Sequence, residues 1–485
     1  MIRRTSIVSL LAGAASVAAF APLGAYPLAL LTFAWLVQAW HDAPPRRAFL
    51  QGFWFGLGFF GAGVSWIYVS MHDIGGIPAP VAAFTTAVFC AFLALFPAAA
   101  GWLQARIPAR TAARACLLIP AAWVLFEWLR SWILSGFPWI SLGYAAVGWP
   151  LQGYAPLGGV FALSFLTVAL AGMVWHIARS RRLYLVGALV VIVLGGEALR
   201  HVAWSTAQGA PLSVALLQGN IEQSLKFDPA RYQRTLDSYA RLAEASRARL
   251  IVFPETAIPR FVDAVDPAYM RRLDAIGKRN EGDLLVGVLL RRGPEEYYNS
   301  VISLGRSPVQ VYDKVHLVPF GEFVPPGFDW ALRTVNIPMS DMASGRARRP
   351  LAVAGERAAV NICYEDAFGA EIAEQLPEAT LLVNVSNVAW FGDSLAPAQH
   401  LQIAQLRALE TARMHLTATN TGITAAIDAD GHVLARLPQF TEGRLEVTAQ
   451  GRGGATPYVR WRDWPIILLC LGVLIALTLR ARRSR

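Results

Sequence analysis

The chain has 485 residues and a formal net charge of +10, with 55% hydrophobic and only 16% charged residues. Because soluble domains carry about 25% charged residues, this composition excludes a wholly soluble protein. The Lys and Arg residues stand in short clusters between apolar blocks, which is typical of membrane topology, and they form no patch that would bind nucleic acid.

Eight apolar runs are candidates for membrane spans, since roughly 18 or more apolar residues can cross the hydrocarbon core. They lie near residues 6–23, 25–40, 50–71, 79–104, 114–133, 157–178, 183–199 and 464–480. The sequence therefore predicts a seven-helix transmembrane domain at 1–204, a globular domain at 205–460, and a C-terminal transmembrane helix with a tail at 461–485.

The arginines of the connecting loops predict the orientation, because short loops rich in Arg lie in the cytoplasm. With Arg3 and Arg4 inside, every Arg-bearing loop and the C-terminal tail fall on the inner side, whereas loops 72–79 and 134–156 carry no Lys or Arg. We therefore expect a multi-pass protein of the bacterial inner membrane with both termini in the cytoplasm and residues 205–460 in the periplasm.

Two features of the membrane part have no assigned role. Glu127 and Arg130 share a helix face, and buried charges are costly and often functional, although Arg130 is near enough to the helix end to snorkel. The loop at 134–156 is rich in Trp, Tyr, Gly and Pro. It is expected at the bilayer interface, as an anchor or as a floor that admits a lipid.

The domain at 205–460 is long enough to bury a large core. Strand-type and helix-type segments alternate, but several strands follow one another directly, which favours an α/β sandwich with mixed sheets. The predicted strands lie at 211–220, 250–253, 284–290, 300–304, 309–312, 358–362, 381–385, 417–434 and 441–448, and the predicted helices at 232–247 and 396–414.

Three polar residues stand at strand ends in this domain, namely Glu255, Lys314 and Cys363. By itself, a lone Cys at a strand end is more often a small buried hydrophobe than a nucleophile. Loops on a rigid scaffold commonly carry catalytic groups, and these three could meet at one sheet edge. Glu255 could then activate the thiol if burial raises its pKa toward neutrality. Lys314 and the N–H after Cys363 could stabilise an oxyanion.

Other groups near these positions receive weaker interpretations. His316 could pair with Cys363, but a structural role is expected because Glu255 and Lys314 already fill the required roles. The stretch from Phe320 to Met339 is unusually apolar, which favours a mobile lid or lipid-contacting arm over core packing. No metal-ligand cluster or nucleotide motif stands out in the sequence, so neither a metal nor a cofactor is expected.

The three polar residues, and several longer strings, resemble known families. Glu255, Lys314 and Cys363 resemble the Glu-Lys-Cys triad of the nitrilase (carbon–nitrogen hydrolase) superfamily, whose fold is an αββα sandwich. Further strings lie at His316–Pro325, Asn361–Glu365, Ala389–Gly392, Arg407–Glu410 and Thr419–Thr424. They are similar to the apolipoprotein N-acyltransferase family, which also has seven spans before its nitrilase-like domain and one after it.

The resemblance implies a two-step acyl transfer. Cys363 would attack the sn-1 ester of a phospholipid, typically phosphatidylethanolamine, and form a thioester. The N-terminal amine of a lipoprotein's diacylglyceryl-cysteine would then take the acyl chain, in the last step of lipoprotein maturation. Glu255 would be the base and Lys314 the oxyanion stabiliser, in a protein expected to be a monomer.

Matching of motif positions extends the implied site. Supporting or substrate-contacting roles fall on Glu322 (support of the triad), Tyr364 and Glu365 (lining of the site), and Asn299, Trp390 and Phe227 (near the substrate). Three positions depart from the family pattern: Val388 replaces a common Asp, Phe227 a common Trp, and Val315 a polar or basic residue.

Two other functions are compatible with the sequence. A membrane-anchored nitrilase-type amidase would release its acyl group to water, and a transporter or lipid-binding scaffold would carry a degenerate triad. An enzyme for small soluble amides has no need of eight membrane helices, and a transporter would be expected to show a relay of buried charges. The sequence therefore favours acyl transfer.

Overall fold

The computed structural model describes residues 2–180, 183–293, 296–325, 327 and 341–483. The chain divides into two compact units. The first comprises Met1–Val202, Phe391–Gln402 and Arg460–Arg485, and the second comprises Ala203–Trp390 and Ile403–Val459. Most of the predicted lid at 320–339 lies outside the described residues.

Apolar and small residues dominate the helices of the first unit, whereas amphipathic helices cover the second. In chain order the helices are α1 (Ile2–Ser16), α2 (Tyr26–Trp40), α3 (Pro45–Gly63), α4 (Trp66–Val69), α5 (Ala79–Arg106), α6 (Thr111–Ala113), α7 (Ile119–Arg130), α8 (Ala155–Ser180), α9 (Leu183–Leu199), α10 (Pro229–Glu244), α11 (Pro267–Arg279), α12 (Gly369–Ile372), α13 (Ala396–Thr411), α14 (Pro457–Trp461) and α15 (Trp464–Arg483).

Four helices among the described residues are long and apolar enough to cross a membrane: Ala79–Arg106, Thr111–Arg130, Pro150–Ser180 and Trp464–Arg483. A fifth span is possible if the pair Pro45–Gly63 and Trp66–Ile74, bent by 49°, counts as one. The other predicted spans are shorter apolar helices, Arg4–Ala19, Tyr26–Trp40 and Tyr184–Leu199. Apolar helices therefore occupy all eight predicted places, but the count of eight spans is not confirmed.

The buried charges of α7 hold the aromatic loop that follows this helix. Arg130 donates to the main-chain oxygen of Trp139 at 2.9 Å and to Ser141 Oγ at 3.2 Å, and Glu127 Oε1 accepts from the N–H of Leu142 at 2.7 Å. Trp139 is only 1% exposed. This part of the loop is therefore packed inside its unit, and its expected place at the bilayer interface stays a prediction.

The strands of the second unit are β1 (Thr206–Ala207), β2 (Leu212–Gln218), β3 (Leu250–Val252), β4 (Asp283–Arg291), β5 (Tyr297–Gly305), β6 (Val311–Asp313), β7 (Leu351–Val353), β8 (Glu356–Ile362), β9 (Leu381–Ser386), β10 (His415–Thr419), β11 (Ala425–Ile427), β12 (Val433–Arg436), β13 (Gly443–Ala449) and β14 (Arg452–Gly453). Two six-stranded sheets have the orders β13-β2-β3-β4-β5-β6 and β12-β11-β10-β9-β8-β7. In each of these sheets the central strands are parallel and the outer strands antiparallel.

Two buried apolar clusters form the core of this unit. Apolar residues of both sheets, such as Val252 and Val360, form one buried cluster. Leu236 of α10 and Leu273 of α11 join Ile251 in a second cluster on the other face of β3. Because β3 and its parallel neighbours are buried on both faces, they read as continuous apolar runs in the sequence. The polar residues that follow these runs therefore stand where the strands end.

Candidate active site

Three strand ends bring the predicted polar residues to one place. Glu255 follows β3, Lys314 follows β6 and Cys363 follows β8. Lys314 Nζ lies 3.6 Å from Glu255 Oε1, and both charges act on the Cys363 thiol. Glu255 and Lys314 are buried, whereas Cys363 is partly exposed, unlike the buried Cys90, Cys116 and Cys470. The arrangement therefore sets the Cys363 thiol beside a buried ion pair.

The Glu255 carboxylate is held by two hydrogen bonds and lies near two lysines. Its Oε1 accepts from Asn299 Nδ2 at 2.7 Å and its Oε2 from the N–H of Asn387 at 2.7 Å. Burial alone would raise the pKa of Glu255, but the charges of Lys314 and Lys226 and these hydrogen bonds hold it below its ordinary value. The expectation that burial raises this pKa toward neutrality is therefore wrong, and the resting group is an ionised carboxylate.

Lys314 is held by a second carboxylate. Its Nζ donates to Glu322 Oε1 at 2.8 Å, and the same oxygen accepts from Asn299 Nδ2 at 3.0 Å. Burial would lower the pKa of Lys314, but Glu322 and Glu255 raise it above its ordinary value. Lys314 therefore stays an ammonium, as an oxyanion stabiliser must.

Cys363 begins a tight turn at the end of β8, with φ at +55°. A non-glycine residue in this region is strained and is held by its surroundings, here in part by Asn384, whose Nδ2 donates to the main-chain oxygen of Cys363 at 3.2 Å. Burial and the charge of Glu255 raise the pKa of the Cys363 thiol to about 12, although Lys314 opposes them. The thiol is therefore protonated at rest and needs a base.

Glu365 ties two loops of the site together. It accepts from the N–H groups of Val315 at 2.8 Å and His316 at 3.0 Å, and from the N–H of Ile362 at 2.7 Å. It is only 2% exposed. Glu365 therefore joins the Lys314 loop to the strand that ends at Cys363, and its role in lining the site stays a prediction.

Tyr364 and His316 belong to a packing cluster beside the site. The His316 ring stacks on Phe368 at 3.6 Å between centroids, and its Nδ1 lies 2.9 Å from Glu371. Tyr364 is buried and packs edge-on against Phe368. These contacts agree with the structural role expected for His316.

The remaining sequence-derived positions divide into exposed and buried groups. Trp390 is 41% and Phe227 47% exposed, and exposed aromatic side chains are suited to contact an apolar ligand. Val388 is buried against Gly422, and Val315 packs against the core shared by the two sheets. The departures at Val388 and Val315 therefore fall on packing positions.

Lys226 is a site residue that the sequence analysis missed. Its Nζ donates to the main-chain oxygen of Glu255 at 3.1 Å, and the residue is only 4% exposed. Burial lowers the pKa of Lys226 to about 8, although Glu255 and Cys363 oppose this effect. One signal could have found it: only three of the 43 Lys and Arg residues of this chain are lysines, Lys226, Lys278 and Lys314.

Within the described part of the chain, no group of three or more His, Cys, Asp or Glu side chains could hold a metal ion.

Comparisons with known proteins place both halves of the chain. A family profile for the apolipoprotein N-acyltransferase N-terminal domain matches residues 12–173, and one for carbon–nitrogen hydrolases matches residues 213–458. The apolipoprotein N-acyltransferase of Nitrosomonas europaea is 45% identical over 98% of this chain and 97% of its own length. That of Methylococcus capsulatus is 44% identical over 96% and 94%. A solved amidase from Nesterenkonia sp. is 18% identical, with a TM-score of 0.37 over 53% of this chain and 96% of its own. The chain belongs to the apolipoprotein N-acyltransferase family.

Proposed function

We propose that this protein moves the sn-1 acyl chain of a phosphatidylethanolamine-like phospholipid to the N-terminal amine of a diacylglyceryl-cysteine lipoprotein, through a thioester on Cys363. One observation carries the mechanism: an ionised Glu255 paired with the Lys314 ammonium beside the Cys363 thiol. Family membership supports the reaction class, N-acylation of lipoproteins.

In the first step, Cys363 Sγ attacks the ester carbonyl carbon while its proton moves to Glu255. The oxyanion that forms is met by the Lys314 ammonium and the N–H that follows Cys363. The carbon–oxygen bond then breaks, and the lysophospholipid oxygen leaves with the proton from Glu255. In this proposal Asn299 and Glu322 orient the two charges, and Trp390 and Phe227 contact the substrates.

In the second step, the lipoprotein amine attacks the thioester carbonyl carbon and loses a proton to Glu255. The carbon–sulfur bond breaks, and the thiolate regains that proton. The amide product and the free thiol restore the starting state, so the proton balance needs no cofactor.

The same proposal includes the architecture expected from the sequence. It places eight spans in the bacterial inner membrane, both termini in the cytoplasm, and an αββα sandwich at 205–460 in the periplasm of a monomeric protein. The arginine pattern of the loops supports this orientation. The core cluster that both sheets share supports the sandwich.

Intact-mass spectrometry of the purified, phospholipid-loaded protein tests the function. We expect an acyl adduct on the wild type that a diacylglyceryl peptide discharges as its amide. Cys363→Ala should carry no adduct, and Glu255→Gln should form it about 10²- to 10⁴-fold more slowly, the usual effect of losing a general base. Cys470→Ala, which removes a buried thiol of α15, serves as the matched control.

Two outcomes would contradict the proposal. An adduct on Cys363→Ala would exclude Cys363 as the nucleophile. Release of free fatty acid faster than transfer to the peptide would favour the membrane-anchored amidase instead.

A further inference from the structure

Lys226 and the Glu255 loop are joined in a closed ring of hydrogen bonds. Lys226 Nζ donates to the main-chain oxygen of Glu255, whose Oε2 accepts from the N–H of Asn387. Asn387 Nδ2 in turn donates to Gln223 Oε1 at 2.7 Å. Gln223 opens the short turn that ends at Lys226. This ring fixes the ammonium of Lys226 against the residue that acts as base.

The charges of the site give Lys226 a second effect. In the resting site Glu255 Oε1 lies 3.6 Å and Glu322 Oε1 2.8 Å from the Lys314 ammonium, and the charge of Lys226 also acts on Glu255. When the thiol proton moves to Glu255, one negative charge passes from the carboxylate to Cys363. The charge of Lys226 acts on both Glu255 and Cys363, so it stabilises the negative charge at either location.

The positions of the lysines also support a role for Lys226 at this site. Arginine supplies nearly all cations of this chain, yet two of its three lysines are buried at this site. A buried lysine is a compact point charge that can lose its proton, whereas arginine remains charged.

We propose that Lys226 is a positioning residue for the acyl-transfer site: it holds the main chain of Glu255 and offsets the negative charge that moves between Glu255 and Cys363. This inference rests on the proposed function of Glu255 and Cys363. It assigns the site two ammonium groups with different roles, since Lys314 faces the oxyanion and Lys226 faces the base and the nucleophile.

The pH dependence of thioester formation separates the charge of Lys226 from its hydrogen bond. Lys226→Gln keeps a donor for the Glu255 oxygen but removes the charge, so the pKa of Glu255 rises. The acid limb of the pH–rate profile therefore moves to higher pH by about 1 to 3 pH units, the usual effect of one close charge. Lys226→Arg keeps the charge, so its acid limb stays at the wild-type position.

The alkaline side gives an independent readout. Wild-type Lys226, with its pKa of about 8, loses its charge as the pH rises, so the developing thiolate is less stabilised and the rate declines. Lys226→Arg should lack this decline, because arginine stays protonated.

The experiment is single-turnover formation of the thioester from phospholipid by the full-length protein, without acceptor peptide, from about pH 3 to about pH 9, so that the acid limb set by Glu255 falls inside the range. Omission of the peptide removes the titration of its amine. Lys278→Gln, at an exposed lysine paired with Asp274, is the matched control and should keep the wild-type profile.

The role of Lys226 and the proposed function fail on different results. If Lys226→Gln lowers the rate equally at all pH values, or keeps the wild-type acid limb, the charge role is overturned, whatever Lys226→Arg does. A thermal unfolding curve for each variant separates misfolding from these outcomes. If Cys363→Ala still forms an adduct in the same assay, the proposed function fails instead.

Discussion

At the residue scale, the neighbours of each ionisable group matter more than its burial. Glu255 is buried, yet Lys314 and Lys226 hold its pKa below the ordinary value. Lys314 is buried, yet Glu322 keeps it charged. Sequence alone identified Glu255 and Lys314 as charged groups at strand ends. It could not give their protonation states, because these depend on partners that are distant in the chain.

Glu322→Gln tests the support of Lys314. The substitution removes the charge that holds the ammonium, and a hydrogen bond to a charged group contributes about 1.5–3 kcal/mol. We therefore expect thioester formation to slow by about 10- to 150-fold, measured as kcat/KM for the phospholipid.

His316→Ala is the matched control for this experiment, because His316 pairs with Glu371 and stacks on Phe368 beside the site. Its rate should stay close to that of the wild type. A large loss in His316→Ala together with a normal rate in Glu322→Gln would reverse the assigned roles.

At the element scale, a close approach between a loop and strand β4 positions Glu255. The Glu255 loop crosses β4 at Gly287, where an added Cβ would lie 2.2 Å from the oxygen of Pro254 and 2.8 Å from Glu255 Cα. Thr256, with φ at +47°, turns the chain at this point. Gly287 therefore lets the loop lie against β4.

Gly287→Ala should displace Glu255 from the thiol. The contacts are to main-chain atoms that cannot rotate away, and a shift of about 1 Å in a catalytic group can lower the rate about 100-fold. The measurement is the single-turnover rate of thioester formation.

Gly443→Ala is the control for Gly287→Ala. Gly443 begins β13 of the same sheet, and its added Cβ would meet Leu437 at an ordinary 3.6 Å. Equal rates for Gly287→Ala and the wild type would show that the close approach does not position Glu255.

At the scale of the whole molecule, the chain combines an apolar helical unit with a unit built on two sheets. The arginine pattern predicts opposite sides of the membrane for the loop that carries Arg110 and for the domain that carries Asp430. Both residues are exposed, whereas Cys90, Cys116 and Cys470 are buried. Single cysteines at these two positions can therefore report the orientation.

In a Cys363→Ala background, a membrane-impermeant maleimide should label Asp430→Cys in spheroplasts and label Arg110→Cys only after lysis. This follows because the reagent reaches the periplasmic side alone. Labelling of Arg110→Cys in intact spheroplasts, with Asp430→Cys protected, would reverse the proposed topology.

The sequence by itself located most strands of the second unit, the apolar helices and the three polar strand ends, because buried strands and membrane helices leave continuous apolar runs. It missed α11, although this helix is amphipathic like α10. It also missed the short strands β1, β7 and β14 and merged β10, β11 and β12 into one segment, since strands of a few residues carry weak periodicity.

Only the tertiary structure decided which distant groups meet. Gln223 and Asn387 carry no local signal, yet hydrogen bonds bring both, together with Lys226 and Asn299, to the Glu255 loop. The sheets bring these loops together, and the resulting contacts set the charges of Glu255, the ammonium groups and the thiol. Hydrophobic periodicity is local and can be read along the chain, whereas electrostatic partnership is a property of the folded arrangement.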